Sequence, residues 1–122
     1  MTEHMFSVVI PLYNKERSIQ STVESVLAQS FRNFELIIVN DGSTDNSLFV
    51  LNSFKDGRIK VITKENGGVS SARNQGILFS ANNWIAFLDA DDLWHPDYLL
   101  TIDKMQKKYT EAKVIATNYI RG

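Results

Sequence analysis

Three carboxylates stand within four positions at Asp89, Asp91 and Asp92, directly after the apolar segment 84–88. That segment predicts a short strand buried on both faces, which gains nothing from charge at its end unless the charge binds a ligand. Side chains two positions apart on extended backbone point to the same side, so Asp89 and Asp91 would present their oxygens together. Carboxylate oxygens suit Mg²⁺ or Mn²⁺. The spacing therefore predicts a divalent metal site.

A cation at this motif would allow the site to hold a diphosphate. Carboxylates alone repel phosphate groups, and a divalent cation between them reverses the sign of the interaction. Mg²⁺ commonly takes one or two carboxylates from the protein and its other ligands from phosphates and water. The alternative is that Asp91 or Asp92 caps a helix beginning near Pro96. One capping aspartate is common but three acids after a buried strand are not, which favours ligand binding.

Three further residues have chemistry that suits a nucleotide, although each also has a plain structural explanation. Asp41 could accept a hydrogen bond from a base or a ribose hydroxyl, or could form an Asx turn before the next helix. Tyr13 could stack on a base or be an ordinary surface aromatic residue. Arg73 could reach a phosphate or a base carbonyl, or be solvated on a helix. None of the three decides the function by itself.

Strand-like and helix-like patterns alternate along the chain. Apolar runs rich in Val and Ile predict strands, and apolar residues at helical spacing predict helices. The predicted strands are 6–12, 34–40, 58–63 and 84–88, with a fifth over 112–118, and the first two helices cover 18–30 and 45–55. A third helix, which Ser70 could cap, has a narrow face of Ala72, Gly76 and Phe79 that could lie close to a sheet. A fourth helix begins near Pro96.

This alternation predicts an α/β fold, with three α/β/α layers around a mostly parallel sheet. The unusual polar residues all follow the carboxyl ends of the predicted strands. Open parallel sheets bind ligands at those ends, where the strand order reverses. With the strand order 3-2-1-4, Tyr13, Asp41 and Asp91 would line one crevice. This convergence supports a binding site more strongly than any single motif does.

The composition is that of one globular domain and argues against several classes of function. Of the 122 residues, 43% are hydrophobic and 22% are charged. The net charge is −1 and the basic residues are scattered, so nothing favours nucleic acid as a partner. There is no cysteine for a disulfide or a thiolate metal site. No apolar run is long enough to span a bilayer and residues 1–5 lack a signal-peptide pattern, so we expect a cytoplasmic protein.

Four segments of the chain, in this order, resemble the signatures of the family 2 glycosyltransferases of the GT-A fold. They extend over nearly the whole chain, and together they are far more specific than a lone DxD motif. The segments are 7–16 (SVVIPLYNKE), 37–45 (IIVNDGSTD), 66–76 (NGGVSSARNQG) and 87–92 (FLDADD), the last being similar to that family's DxD motif. The resemblance implies that 1–122 is the Rossmann-like half of the GT-A fold that binds a nucleotide-diphospho-sugar.

The resemblance also implies a set of residues that bind the nucleotide-sugar. Pro11, Tyr13 and Glu16 would border the nucleotide, with Tyr13 near the base. Asp41 would bind the base, commonly uracil in this family, and Arg73 would help to hold the nucleotide. The full implied set is Pro11, Tyr13, Glu16, Asp41, Arg73, Asp89, Ala90 and Asp91.

The acidic motif would act on the diphosphate and the sugar. Asp89 would contact ribose or sugar, and Asp91, with Asp89 beside it, would hold Mn²⁺ or Mg²⁺. The family transfers a sugar from a nucleotide-diphospho-sugar, with UDP the expected nucleotide, to an acceptor hydroxyl, usually with inversion. A metal aimed at the leaving oxygen stabilises the transition state more than the ground state. The implied partners are the donor and a carbohydrate or lipid-linked acceptor, as in polysaccharide biosynthesis.

In that family the catalytic base and most of the acceptor site follow the DxD half. We therefore expect the base beyond Gly122, because Asp97 and Asp103 are predicted on a helix that packs outside the sheet. The resemblance thus implies the donor-binding half of a longer protein. Any attachment to the inner face of a membrane would reside in segments absent from this chain.

Two other classes of protein could carry a similar acidic motif. In a haloacid-dehalogenase-type phosphatase Asp89 would be the nucleophile, but that motif normally follows the first strand and prefers Thr or Val where this chain has Leu93. A non-catalytic receiver-like domain would need an acidic pocket with a lysine near the end of a later strand. It would not need Tyr13 or Arg73 near the ligand.

Overall fold

The computed structural model describes residues 6–82 and 84–108. Four strands and four helices alternate in this part of the chain. In chain order they are β1 (Phe6–Leu12), α1 (Ile19–Leu27), β2 (Phe34–Asp41), α2 (Ser47–Leu51), β3 (Ile59–Lys64), α3 (Val69–Phe79), β4 (Trp84–Phe87) and α4 (Tyr98–Lys108). The predicted fifth strand, 112–118, lies outside the described residues.

The four strands form one parallel sheet in the order β3-β2-β1-β4. β1 lies between β2 and β4, so that Val8 is opposite both Leu36 and Ala86. Every residue of β1 and β2 is buried, as expected for parallel strands that are covered on both faces. The predicted strand order and the α/β class are confirmed. The order reverses between β1 and β4, and ligands of such sheets bind at that point.

Two apolar clusters cover the two faces of the sheet. Alternate residues of a strand point to opposite faces, so Val8 and Val9 belong to different clusters. The larger cluster joins β1 to α1 and α4 through residues such as Val23 and Leu99. The smaller one joins the sheet to α3 through Ala72. The predicted three-layer arrangement is therefore confirmed.

Several helix ends differ from their predicted bounds, and α1 ends at Leu27 rather than at residue 30. α2 stops well before residue 55, because the N–H groups of 52–54 bond to carbonyls three positions back in a tighter turn. α3 begins at Val69, so Ser70 is not its cap. The residue that precedes this helix is Gly68, whose φ of 97° is disfavoured for any other residue type. The apolar spacing thus located these helices but not their ends.

α3 lies very close to β1 because it presents small residues to the sheet. Ala72 and Gly76 are both buried, and a side-chain carbon on Gly76 would overlap the side chain of Val9. The predicted close approach is confirmed at these two positions. It is wrong for Phe79, which is 54% exposed, because α3 ends there and the backbone of Ser80 is extended.

A buried polar network that the sequence did not reveal lies at the opposite end of the sheet. Glu35 Oε2 accepts hydrogen bonds from Ser7 Oγ (2.5 Å) and the Ala81 N–H (2.6 Å), and Oε1 accepts one from Lys60 Nζ (2.8 Å). Burial raises the pKa of Glu35, but these donors more than offset it and hold the pKa below its ordinary 4.5. The network ties the segment that leads into β4 to the strands beside it.

We expect Gly76→Ala to destabilise the protein by about 1–3 kcal/mol, even though alanine is the better helix former. The added methyl group must displace the buried, β-branched Val9 or push α3 away from β1. Gly57→Ala is the matched control, because a side-chain carbon there meets no atom within 4 Å. Urea unfolding followed by circular dichroism measures both variants. Equal unfolding midpoints for the two would contradict the close approach of α3.

Candidate functional site at the carboxyl ends of the strands

A crevice of about 660 Å³ opens at the carboxyl ends of the strands. This volume lies in the range of sites for small molecules and cofactors. It is lined by Pro11, Leu12, Tyr13, Lys15, Asp41, Asn66, Gly68, Val69, Ala72, Arg73, Asp89, Ala90 and Asp91. The structure thus brings together every predicted nucleotide-sugar-binding residue except Glu16. Position after strand ends pointed to Tyr13, Asp41 and the acidic motif, whereas Pro11 and Ala90 came from the resemblance to the family alone.

The loop after β1 is fixed to the loop after β2 by a network around Asn14. Asn14 has a φ of 50°, a left-handed conformation that asparagine tolerates better than most residues. Its Oδ1 accepts hydrogen bonds from the N–H groups of Thr44 (2.7 Å) and Asp45 (3.2 Å), and its own N–H donates to Ser43 Oγ (3.0 Å). The neighbouring Tyr13 is therefore held on a rigid backbone, with its side chain 45% exposed at the crevice.

The same network fixes the backbone of the next two residues. The Lys15 N–H donates to Ser47 Oγ (2.9 Å), and the Glu16 N–H donates to Asp45 Oδ2 (3.1 Å). Glu16 is exposed, and the structure does not bring it to the crevice lining. Lys15 does line the crevice and was missed, because nothing in its spacing distinguishes it from a solvated surface lysine.

Asp41 is the most enclosed charged residue of the crevice, with a side chain 4% exposed. Its Oδ1 accepts hydrogen bonds from Lys64 Nζ (2.8 Å) and the Gly67 N–H (2.9 Å), and its Oδ2 accepts one from the Gly68 N–H (2.9 Å). Burial raises the pKa of Asp41, but Lys64 and the two N–H groups outweigh it and hold the pKa below its ordinary 3.8. Asp41 therefore anchors the loop after β3 in ionised form.

The turn after β2 departs from one predicted alternative. The side chain that forms the local turn is Asn40, whose Oδ1 accepts from the Ser43 N–H (3.1 Å), and not Asp41. Gly42 follows with a φ of 72°, and a side-chain carbon there would lie 2.7 Å from the backbone nitrogen of Asn66. The loops after β2 and β3 are therefore in direct contact. Base binding by Asp41 stays a prediction.

The acidic motif forms a turn and not the predicted extended segment. The Asp92 N–H bonds to the Asp89 carbonyl (3.0 Å). α1 holds this turn, because the Ala90 carbonyl accepts hydrogen bonds from Ser18 Oγ (3.0 Å) and Thr22 Oγ1 (2.9 Å). The carboxylates of the motif's first and third residues nevertheless both line the crevice, although the reason given for their common direction was wrong.

Each of the two carboxylates of the acidic motif that line the crevice is paired with a basic side chain. Arg73 Nη2 lies 3.2 Å from Asp89 Oδ1, and Lys15 Nζ lies 3.3 Å from Asp91 Oδ2. The helix-cap alternative is wrong for Asp91, since its carboxylate bonds to this lysine and α4 begins only at Tyr98. Positive and negative charges in this part of the crevice are thus balanced.

Arg73 has one buried donor that makes no hydrogen bond within the described part of the protein. Its Nε is buried and makes no hydrogen bond to any described residue, while Nη2 reaches Asp89. Buried donors are normally satisfied, so an orphaned one at the edge of a crevice indicates a missing acceptor.

Asp89 and Asp91 could hold only part of the coordination shell of a metal ion. Among residues 6–82 and 84–108, no cluster of three or more His, Cys, Asp or Glu side chains could hold a metal by itself. An all-oxygen pair fits a hard cation that takes its remaining ligands from substrate phosphates and water. The donor set therefore fits Mg²⁺ or Mn²⁺ bound together with a ligand.

The acids considered as catalytic bases lie away from the crevice lining. Asp97 is exposed and accepts a hydrogen bond from Ser30 Oγ (2.7 Å). Asp103 lies in α4 and is buried, whereas Asp97 precedes that helix and does not lie within it as predicted. Trp94 is buried and stacks on Tyr98 with a centroid separation of 4.6 Å, so its role is in packing.

Comparison with known proteins gives a consistent result. A family model described as "Glycosyl transferase family 2" matches residues 7–121. An Escherichia coli protein named UDP-Glc:alpha-D-GlcNAc-diphosphoundecaprenol beta-1,3-glucosyltransferase WfgD is 36% identical over 129 aligned residues, which cover 100% of this chain and 51% of that protein. This chain therefore spans about half the length of that relative. Within the described residues, no helix is long and apolar enough to cross a membrane.

Two solved structures share the fold. S. aureus TarS 1-349 in complex with UDP-GlcNAc matches with a TM-score of 0.81 and 28% identity, over 87% of this chain and 32% of that one. The mannosyltransferase PcManGT from Pyrobaculum calidifontis, in complex with GDP-Man and Mn2+, matches with a TM-score of 0.78 and 21% identity, over 87% of this chain and 33% of that one.

We expect Asp41→Asn to lower the free energy of unfolding by about 1–3 kcal/mol at neutral pH. The side-chain NH2 group of the asparagine would face a buried hydrogen-bond donor that now bonds to a carboxylate oxygen. The pKa of Asp41 is lower in the folded than in the unfolded chain. Its stabilising contribution is therefore present above pH 3.8 and is lost as the pH falls through the lowered folded value. Chemical unfolding at neutral and acidic pH measures this difference.

The exposed Asp97→Asn serves as the control for the loss of charge. The gap in stability between wild type and Asp41→Asn should narrow as the pH falls, while the gap for Asp97→Asn stays small throughout. An Asp41→Asn protein as stable as wild type at neutral pH would refute the anchoring role.

Proposed function

The chain belongs to glycosyl transferase family 2, and on that basis we propose that it binds a nucleotide-diphospho-sugar together with a divalent cation in the crevice. It would supply the donor half of an enzyme that transfers the sugar to an acceptor hydroxyl. The observation that carries this proposal is the convergence of Tyr13, Asp41, Arg73 and the acidic motif on one crevice.

The groups of the crevice suit the parts of such a donor. Tyr13 offers an exposed ring on a fixed backbone to a base. Arg73, whose side chain is 38% exposed, offers its guanidinium group to a phosphate or a base carbonyl, and Lys15 adds a second positive charge. Asp41 keeps the loop after β3 close, so that Gly68 and Asn66 border the ligand.

UDP is the proposed nucleotide. Two similar proteins support it: the E. coli relative is named for UDP-Glc, and TarS was solved with UDP-GlcNAc. The name of the E. coli relative also contains a diphosphoundecaprenol acceptor. A carbohydrate or lipid-linked acceptor is therefore proposed, in polysaccharide biosynthesis at the cytoplasmic side of the membrane.

Asp91 and Asp89 would hold Mn²⁺ or Mg²⁺ against the diphosphate. When bound, the cation neutralises phosphate charge and stabilises the negative charge of the leaving group. Lys15 and Arg73 lie beside these acids and would orient the diphosphate by charge. The acceptor would attack from the opposite face of the sugar and invert its configuration, with a base contributed from outside residues 1–122.

The rival functions lack this support. A phosphatase of the haloacid-dehalogenase type would carry its acids after the first strand, whereas here they follow β4. A receiver-like domain would account for the acids and for Lys64 at the end of β3, but not for Tyr13 and Arg73 in the same crevice. A bound nucleotide-sugar would account for the acids, Tyr13 and Arg73 together.

We expect Asp91→Ala to abolish the Mn²⁺-dependent part of UDP binding while the fold stays intact, because the Asp91 side chain is about half exposed. Calorimetric titration with UDP, with and without Mn²⁺, measures the effect. Glu24→Ala is the control, since it removes an exposed carboxylate on α1 outside the crevice. Equal UDP affinity of wild type with and without Mn²⁺ would argue against the metal role.

A further inference from the structure

We propose that the Lys15 ammonium group pairs with the Asp91 carboxylate until a divalent cation binds that carboxylate. The ammonium group then moves to the diphosphate, so that cation and diphosphate bind cooperatively. This inference rests on the proposed function. It makes Lys15 a positioning residue for the donor, a role that the acidic motif alone does not provide.

The geometry puts the ammonium group where a cation would bind. Lys15 Nζ lies 3.3 Å from Asp91 Oδ2, and both residues line the crevice. The side chains are 44% and 52% exposed, so each can reach solvent or a ligand without breaking the core. A divalent cation and the ammonium group would therefore compete for the same carboxylate oxygen.

The backbone of Lys15 is fixed while its side chain can move. Its N–H is held by Ser47 Oγ, and the preceding Asn14 is held by the loop after β2. A lysine carries its charge on a flexible four-carbon stem. The ammonium group can therefore leave Asp91 and remain at the crevice, where a diphosphate would lie.

Half-exposed ion pairs are weak, which makes the exchange feasible. Water screens such a pair and ordering its long side chain costs entropy, so its net contribution is small. The Lys64–Asp41 pair is different. Its side chains are only 16% and 4% exposed, and the Asp41 carboxylate also accepts a hydrogen bond from a loop N–H group. Of these two pairs, the Lys15 pair is the one placed to open when a ligand arrives.

Charge balance explains why the two ligands would help each other. In the free site Lys15 and Arg73 match Asp89 and Asp91, so neither a lone cation nor a lone diphosphate meets an excess of opposite charge. A cation on Asp91 releases the lysine, which then attracts phosphate. By linkage, a diphosphate that holds the lysine makes Asp91 more available to a cation to the same degree.

Lys15→Met tests the proposal in two binding measurements on the whole chain. Mn²⁺ alone, followed by the electron paramagnetic resonance of the free ion, should bind about twofold to fivefold more tightly because its competitor is gone. UDP at saturating Mn²⁺, followed by calorimetry, should bind about fivefold more weakly because a charged phosphate contact is lost. Uridine, which has no phosphate, should bind unchanged.

Lys55→Met is the matched control, because it removes an exposed lysine outside the crevice lining. If Lys15→Met leaves Mn²⁺ affinity unchanged or weaker, or leaves UDP affinity unchanged, the exchange is refuted while the proposed function stands. If wild type binds neither UDP nor Mn²⁺, the proposed function fails and this inference fails with it.

Discussion

Burial of the central strands on both faces is the constraint on which the rest of this structure depends. β1 and β2 have no solvent-facing side, so charged groups can lie only where the strands end. At the amino end, Glu35 is held by a network of its own. At the carboxyl end, parallel pairing brings residues far apart in the sequence to one crevice, so the architecture of the core decides where chemistry can occur.

Burial also separates two ion pairs of the same chemical type. Asp41 and Lys64 are enclosed, and the carboxylate also accepts hydrogen bonds from two loop N–H groups. That pair behaves as part of the scaffold, because breaking it would leave a buried charge. Asp91 and Lys15 are both half exposed, so separating them costs less free energy. The crevice thus combines one ion pair that is fixed by burial with another that is free to separate.

The sequence was sufficient to predict the sheet and most of the crevice, because strand alternation and the ends of parallel strands follow general rules. It was insufficient where contacts between residues far apart in the sequence determine a local turn or an ion pair. The turn at the acidic motif depends on Thr22, which is 68 residues from Ala90 in the sequence, and the pairing of Asp91 depends on Lys15, 76 residues away. Glu16 belonged to a recognisable segment, but it is not among the residues that line the crevice.

Gly42 touches no predicted ligand, yet it leaves this region little freedom to vary during evolution. Any other residue there would need a disfavoured backbone conformation and would also press on Asn66. The loop after β3 would have to lift, which would expose the Asp41 carboxylate to water. A substitution at this one position would therefore alter the shape of the crevice without replacing any residue that lines it.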